Sequence, residues 1–273
     1  MRKILILLAA FAGGSLSAAA DELFVPEVTF PASHAVLAGR VIDILDLVPG
    51  MDGAEVKAAL AGLHPADSIV EQQTSFRVAS RGVTVQTADF LKSITAGKEN
   101  DRIEVSFTGP ASGVQAFSIE RTLRYSDVLS APTLESIFEA LDTKYGVPSM
   151  RSSDLYQPNP NNAAKLVWAY SGGEQVPCRY LQAGQGPGCP LLLGGYDPSS
   201  LQHTATSRLD FDYIVTADIW PHDADIGKVR LFQVEVFDLA RRKQAAQADT
   251  QAMLAEIERI HQQASKPAAA PAL

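Results

Sequence analysis

Between Arg102 and Tyr125 the chain alternates apolar and polar side chains with a period of two, broken once at Gly109-Pro110 and Gly113. Ile103, Val105 and Phe107 fall on one side of the first run. Phe117, Ile119, Leu123 and Tyr125 share one side of the second, with Ser118, Glu120, Thr122 and Arg124 on the other. A period of two sends successive side chains to opposite faces of a strand. This segment is therefore expected to form an antiparallel pair with one buried and one wet face. The pattern returns near the C-terminus, where Leu209, Phe211, Tyr213 and Val215 are expected inward. A turn from Trp220 to Gly227 then leads into a second β-rich run, Lys228 to Phe237.

Something must cover these strands, and three segments carry a helical period. Pro49-Gly50-Met51 leads to Asp52, an N-cap residue with Glu55 three positions on, the spacing of a capping box. Val56, Leu60 and Leu63 then make one stripe, and Pro65 stops it. The second helix starts at Thr133 with the stripe Leu134, Ile137, Phe138 and Leu141, and ends at Tyr145-Gly146 with glycine in the left-handed conformation. The last runs from Leu239 to Ala264, rich in good helix formers. Its stripe (Leu239, Ala246, Met253, Leu254, Ile257, Ile260) is thin, and Arg241-Arg242-Lys243 reads as a solvated face, though such a helix also suits docking to a partner. The expected fold class is α+β. Residues 41–130 and 131–238 form two helix-plus-antiparallel-sheet units, a possible tandem repeat, followed by the C-terminal helix 239–264. Residues 21–40 are a Pro-punctuated lead-in and 265–273 a disordered tail.

Asp43, Leu47, Pro49-Gly50-Met51 and Glu55-Val56 resemble the opening of repeats in the outer-membrane assembly lipoprotein BamE and in the β-lactamase inhibitor proteins. Lys144-Tyr145-Gly146 with Pro148 is similar to the place in such repeats where the helix closes before the first strand. The whole chain looks like a group of secreted proteobacterial proteins with both pieces, a Trp-containing strand and a Cys-bounded loop. The resemblance implies a helix packed on an antiparallel sheet and a binding or scaffolding role. The chain departs from BamE in having no lipidated cysteine and in its length, and it lacks a bridge for each repeat.

The N-terminus has the three parts of a secretory signal: Arg2 and Lys3, the apolar run Ile4 to Phe11, and small residues through Ala18 and Ala20, with cleavage before Asp21. The apolar run falls short of the roughly 20 residues that span a bilayer, so the exported chain is expected to be soluble and periplasmic. Removing Arg2 and Lys3 makes the formal net charge of −8 more negative. An acidic chain excludes nucleic acid and anionic lipid as main partners. The two cysteines, Cys178 and Cys189, flank a Gly-rich loop. In an oxidising compartment they are expected to form a structural disulfide, stabilising the fold by about 3 kcal/mol. Redox and metal roles lack the two-residue spacing and the neighbouring ligands those chemistries need.

Sites for chemistry are sparse. None of the five histidines lies one helical turn from another, so no metal or cofactor is expected. His222, Asp223 and Asp225 form the densest polar cluster, an acid–base candidate set against a solvated turn. Asp210, Asp212 and Asp218 alternate along one strand and match a paired-carboxylate site, or simply a wet strand face. Phe76, Trp168, Tyr170, Tyr180 and Tyr196 are the candidate binding surface, since aromatics are favoured at interfaces. No nucleophile elbow, Walker loop or dinucleotide fingerprint is present. The leading expectation is a non-enzymatic module that binds another envelope protein. The alternatives are a periplasmic hydrolase or a carrier of a small apolar ligand.

Overall fold

A computed structural model describes residues 36–151, 163–177 and 211–265. In chain order its elements are β1 (Val36–Leu37), β2 (Arg40–Val41), α1 (Gly53–Ala61), β3 (Val70–Thr74), β4 (Arg77–Ser80), β5 (Val83–Gln86) and β6 (Phe90–Lys98). There follow β7 (Asp101–Phe107), β8 (Ala116–Arg124), α2 (Leu134–Tyr145), β9 (Met150–Arg151), β10 (Ala164–Ser171) and β11 (Glu174–Val176). The chain closes with β12 (Tyr213–His222), β13 (Asp225–Asp238) and α3 (Leu239–Ala264). The signal segment, Cys178 and Cys189, Tyr180, Tyr196, Asp210 and the C-terminal tail lie outside the described residues.

The fold is α+β. Nine strands make one antiparallel sheet in the order β11-β10-β12-β13-β8-β7-β6-β3, with β9 paired to β10. The strands of 41–130 and of 131–238 join through β8 and β13, from Ser118 opposite Phe237 to Arg124 opposite Leu231. β1–β2 and β4–β5 are separate hairpins.

Alternation works as expected on the first sheet face. Ile103, Val105, Phe107, Ile119, Val215 and Val236 are each fully buried there, under Val56 and Leu60 of α1 and Leu141 and Tyr145 of α2. α1 begins in a complete capping box, with Asp52 Oδ1 accepting from the amides of Ala54 (2.8 Å) and Glu55 (2.9 Å) and Glu55 Oε2 accepting from Asp52 N–H (2.9 Å). The helix ends at Ala61, two residues before the last position of the expected stripe, and Leu63 is exposed. α2 is capped by Thr133, as read. Gly146 has φ 83° but ψ −169° rather than the left-handed helical pair. The chain leaves α2 extended, and the Gly146 carbonyl accepts the buried Trp168 Nε1–H at 2.7 Å.

Three further corrections concern faces. A bulge opposite Ser106 and Phe107 puts Ala116, not Phe117, across from Phe107. The extra residue switches sides, so Phe117 packs on the second face against Phe237, with ring centroids 6.1 Å apart. Phe211 likewise packs against the second-face cluster while Tyr213 and Val215 belong to the first. The β12–β13 turn is shorter than expected, because the strands run to His222 and resume at Asp225. Register shifts on both sides of Pro221 accommodate a residue with no amide hydrogen.

α3 covers one end of the second face and keeps the expected bounds. Its buried side is wider than the thin stripe, for Ala245, Ala248, Asp249 and Ala252 join Ala246, Met253 and Ile257, whereas Leu254 is exposed. Arg241 belongs to no solvated face. It is only 4% exposed, pairs with Asp238 at 3.1 Å and donates to Gln115 Oε1. Asp249, 1% exposed, accepts the Ala111 amide hydrogen at 2.8 Å. The helix is thus fixed to the 109–115 loop by two buried polar contacts as well as by apolar packing.

Candidate functional site

Three of the five aromatic residues singled out in the sequence lie among the described residues, and they go inside. Phe76 (2%), Trp168 (0%) and Tyr170 (1%) are buried, so these three present no exposed face to a partner. Trp168 packs against Tyr145 with ring centroids 5.4 Å apart and planes tilted by 54°, and burial pushes the Tyr170 phenol up to about 12.

The His222 cluster is a hairpin turn. His222 Nδ1 accepts from Ala224 N–H (3.2 Å), Asp225 Oδ1 accepts from Gly227 N–H (2.9 Å), and Asp223 pairs with Arg230 (3.0 Å). Each side chain serves its own turn, which is the structural option weighed for it. The aspartate row is dispersed as well. Asp212 accepts from Gly172 N–H at 2.7 Å, while Asp218 lies within β12 beside Lys165 at 3.2 Å. Among the described residues no group of three or more His, Cys, Asp or Glu side chains is placed to hold a metal ion.

What the fold does build is a cleft of about 160 Å³ between α2 and the first sheet face, open on one side. α2 contributes Ile137, Ala140, Leu141, Lys144 and Tyr145, and the sheet contributes Arg121 of β8 with Phe232 and Val234 of β13. The third wall is Ile44 and Leu45, from the turn that follows β2. The lining is apolar apart from two cations, and each of these meets an aspartate. Lys144 Nζ lies 2.9 Å from Asp43 Oδ1, and the Arg121 guanidinium forks onto Asp101 at 3.0 and 2.8 Å. Tyr145 donates its hydroxyl to the Asp43 carbonyl at 2.8 Å, and burial holds its phenol far above the usual range. Asp43 therefore clamps the turn to the end of α2. The helical stripe Ile137-Leu141 was legible in the sequence. The cleft was not, because its lining comes from four segments spread between Ile44 and Val234.

The second face holds another arrangement that the sequence reading missed. Glu104, Glu120 and Glu235 stand directly opposite one another across β7, β8 and β13, a spacing of about 5 Å between neighbouring Cβ atoms. Burial, then the charge of Glu120, pushes Glu235 up to about 8. Glu120 is raised by burial and by Glu104, against a hydrogen bond from Thr122 that lowers it. Asp218 is raised by burial, with Lys165 opposing. Ser118 donates to Glu235 Oε1 at 3.0 Å and Thr122 to Glu120 Oε1 at 3.1 Å. Like charges this close resist double ionisation, and burial acts in the same direction on both Glu120 and Glu235.

No family model, no curated protein and no solved structure matches the chain. No described helix is long and apolar enough to cross a membrane.

Proposed function

We propose that the chain is an exported, non-enzymatic binding module of the cell envelope, which holds another envelope protein through the cleft beside α2. The half-open apolar cleft carries this reading. Engineered apolar cavities of about 150 Å³ take a molecule the size of benzene, whereas pockets that enclose whole ligands measure about 300–1,000 Å³. A volume of 160 Å³ with one open side suits a single apolar group whose remainder stays outside, and so favours an anchor residue of a partner over a carried small molecule. The N-terminal signal pattern supports the compartment. The order α1, β3, β6, β7, β8 followed by α2, β9, β10, β12, β13 supports two related units, in keeping with the resemblance to BamE and the β-lactamase inhibitor proteins.

The test is cross-linking and affinity capture of the tagged chain from its native periplasm, beside an Ala140→Trp variant. Ala140 lines the cleft and is exposed, so an indole there fills the space without disturbing the core. One dominant envelope partner near stoichiometric yield with the wild type, lost with Ala140→Trp, is the expected outcome. Equal capture by both forms would move the interface elsewhere, and a wild type without a partner would end this reading. A second reading, a hydrolase using the facing Glu120–Glu235 pair, would then be tried by comparing wild type and Glu235→Gln on ester and glycoside substrates.

A further inference from the structure

Among the described residues, four two-residue turns between antiparallel-bridged residues have positive φ at both central positions. Three place glycine second: Ala38-Gly39 (49°, 76°), Arg81-Gly82 (49°, 80°) and Gly172-Gly173 (60°, 85°). The fourth contains no glycine. Leu45 (54°) and Asp46 (65°) lie between Ile44 and Leu47, whose backbones exchange hydrogen bonds of 3.1 and 3.0 Å. Such turns favour Asn-Gly, because a side chain at positive φ crowds the following carbonyl. Aspartate tolerates this conformation, and Leu45 stands where Ala38 and Arg81 stand in their own turns, so what sets this turn apart is Asp46 in the place of glycine.

The surroundings hold the turn against that preference. Ile44 and Leu47 are buried at 3% and 0%. Asp43 Oδ1 accepts from Asp46 N–H at 3.1 Å while it pairs with Lys144. The consequence is that Leu45 stands half-buried on the cleft wall.

We propose that Leu45 determines what the cleft accepts, forming the wall against which one aromatic or branched aliphatic side chain of a partner polypeptide packs. This rests on the binding-module reading and names the chemistry of its occupant. Because Asp43 and Asp101 already neutralise both cations at the rim, an anionic group would have to displace them, and the complementary occupant is uncharged. The open side and small volume leave the rest of that occupant outside, as a polypeptide backbone would be.

The experiment titrates the ¹⁵N-labelled chain, from Asp21 onward, with capped tripeptides (acetyl-Gly-X-Gly-amide, X being Phe, Leu or Glu) and with benzene, following the amide signals of Leu45, Ala140 and Lys144. The Phe and Leu peptides are expected to shift these signals to saturation and the Glu peptide to leave them in place. Leu45→Asn, which suits the turn, should weaken Phe-peptide binding about tenfold, the size of effect that follows loss of apolar contact in a pocket, while melting within about 3 °C of the wild type. Asp46→Gly relieves the turn without touching the wall, and should melt higher with affinity unchanged. Undiminished binding by Leu45→Asn would overturn the role of Leu45, yet leave the binding module standing if Ala140→Trp still abolishes capture. Shifts with benzene but with no peptide would overturn the polypeptide in favour of a free apolar molecule. A Leu45→Asn variant that melts far below wild type, with no gain from Asp46→Gly, would show that the leucine serves the fold and overturn the proposal. A wild type indifferent to every probe would overturn it as well, and capture by the wild type would separate that failure from failure of the module.

Discussion

Glu235→Gln is expected to leave stability near pH 5 almost unchanged and to raise it strongly at pH 9. In the folded protein Glu235 holds its proton up to about pH 8, and in the unfolded chain it releases it near the ordinary glutamate value of 4.5. Between those limits the folded state binds the extra proton, so stability falls as pH rises and levels off above about 8. Each pH unit of such an interval amounts to about 1.4 kcal/mol, so the loss between pH 5 and pH 8 is about 4 kcal/mol. Glutamine keeps an oxygen for the Ser118 hydroxyl and carries no charge to repel Glu120. For a domain of this size the variant should melt roughly 10 °C above wild type at pH 9. The titration belongs to the Glu120–Glu235 pair rather than to one carboxyl, so Glu120→Gln should lower the apparent transition as well. Melting curves of the three proteins from pH 5 to 9 decide the matter, and parallel pH profiles for wild type and Glu235→Gln would mean that Glu235 ionises freely.

Asp249→Ala should destabilise the protein by about 3 kcal/mol at neutral pH. The carboxylate accepts from the buried Ala111 amide. Its removal takes away a charge-assisted bond and leaves that amide hydrogen without an acceptor, each contributing about 1–3 kcal/mol. Gly109→Ala should act on the same contact from the other side. A Cβ at Gly109 would fall 2.2 Å from Asp249 Oδ2 and 2.4 Å from Phe76 Cε2, well inside contact distance, so α3 or the loop must move. Urea unfolding would show both variants with lower midpoints. Hydrogen exchange would place the earliest opening in α3 and residues 109–115. Midpoints within error of the wild type would show that apolar packing alone retains the helix.

Legibility in the sequence followed the range of the interaction. The Asp52–Glu55 capping box, the alternation of Ile103, Val105 and Phe107 and the bounds of α3 are local, and all three were readable in the chain. Phe117 was assigned to the wrong face because a single bulge inverts a period of two, and nothing in its neighbours announces the bulge. Trp168 and Tyr170 look equally suited to a core or an interface, and only packing separates the two. The pairing of Glu120 with Glu235 depends on how β8 meets β13, a register that no local pattern encodes. The same holds for the cleft. Leu45 reads as one more apolar residue in Ile42-Asp-Ile-Leu-Asp-Leu until its backbone angles and the end of α2 are known.

The β8–β13 ladder also governs how the molecule can be made. Ser118 and Glu235, hydrogen-bonded across that ladder, lie 117 positions apart. A chain emerging from its N-terminus can complete β6, β7 and β8 early, but β8 then waits for the last described strand, β13, before its outer edge is covered. Until then the half-built sheet exposes an unpaired strand bearing Phe117 and Ile119, the kind of edge that recruits other chains. Long-range closure is intrinsically slow. Residues 225–264, β13 with α3, therefore act as the closing piece of the assembly, and a chain that stops short of them is left with a template for aggregation.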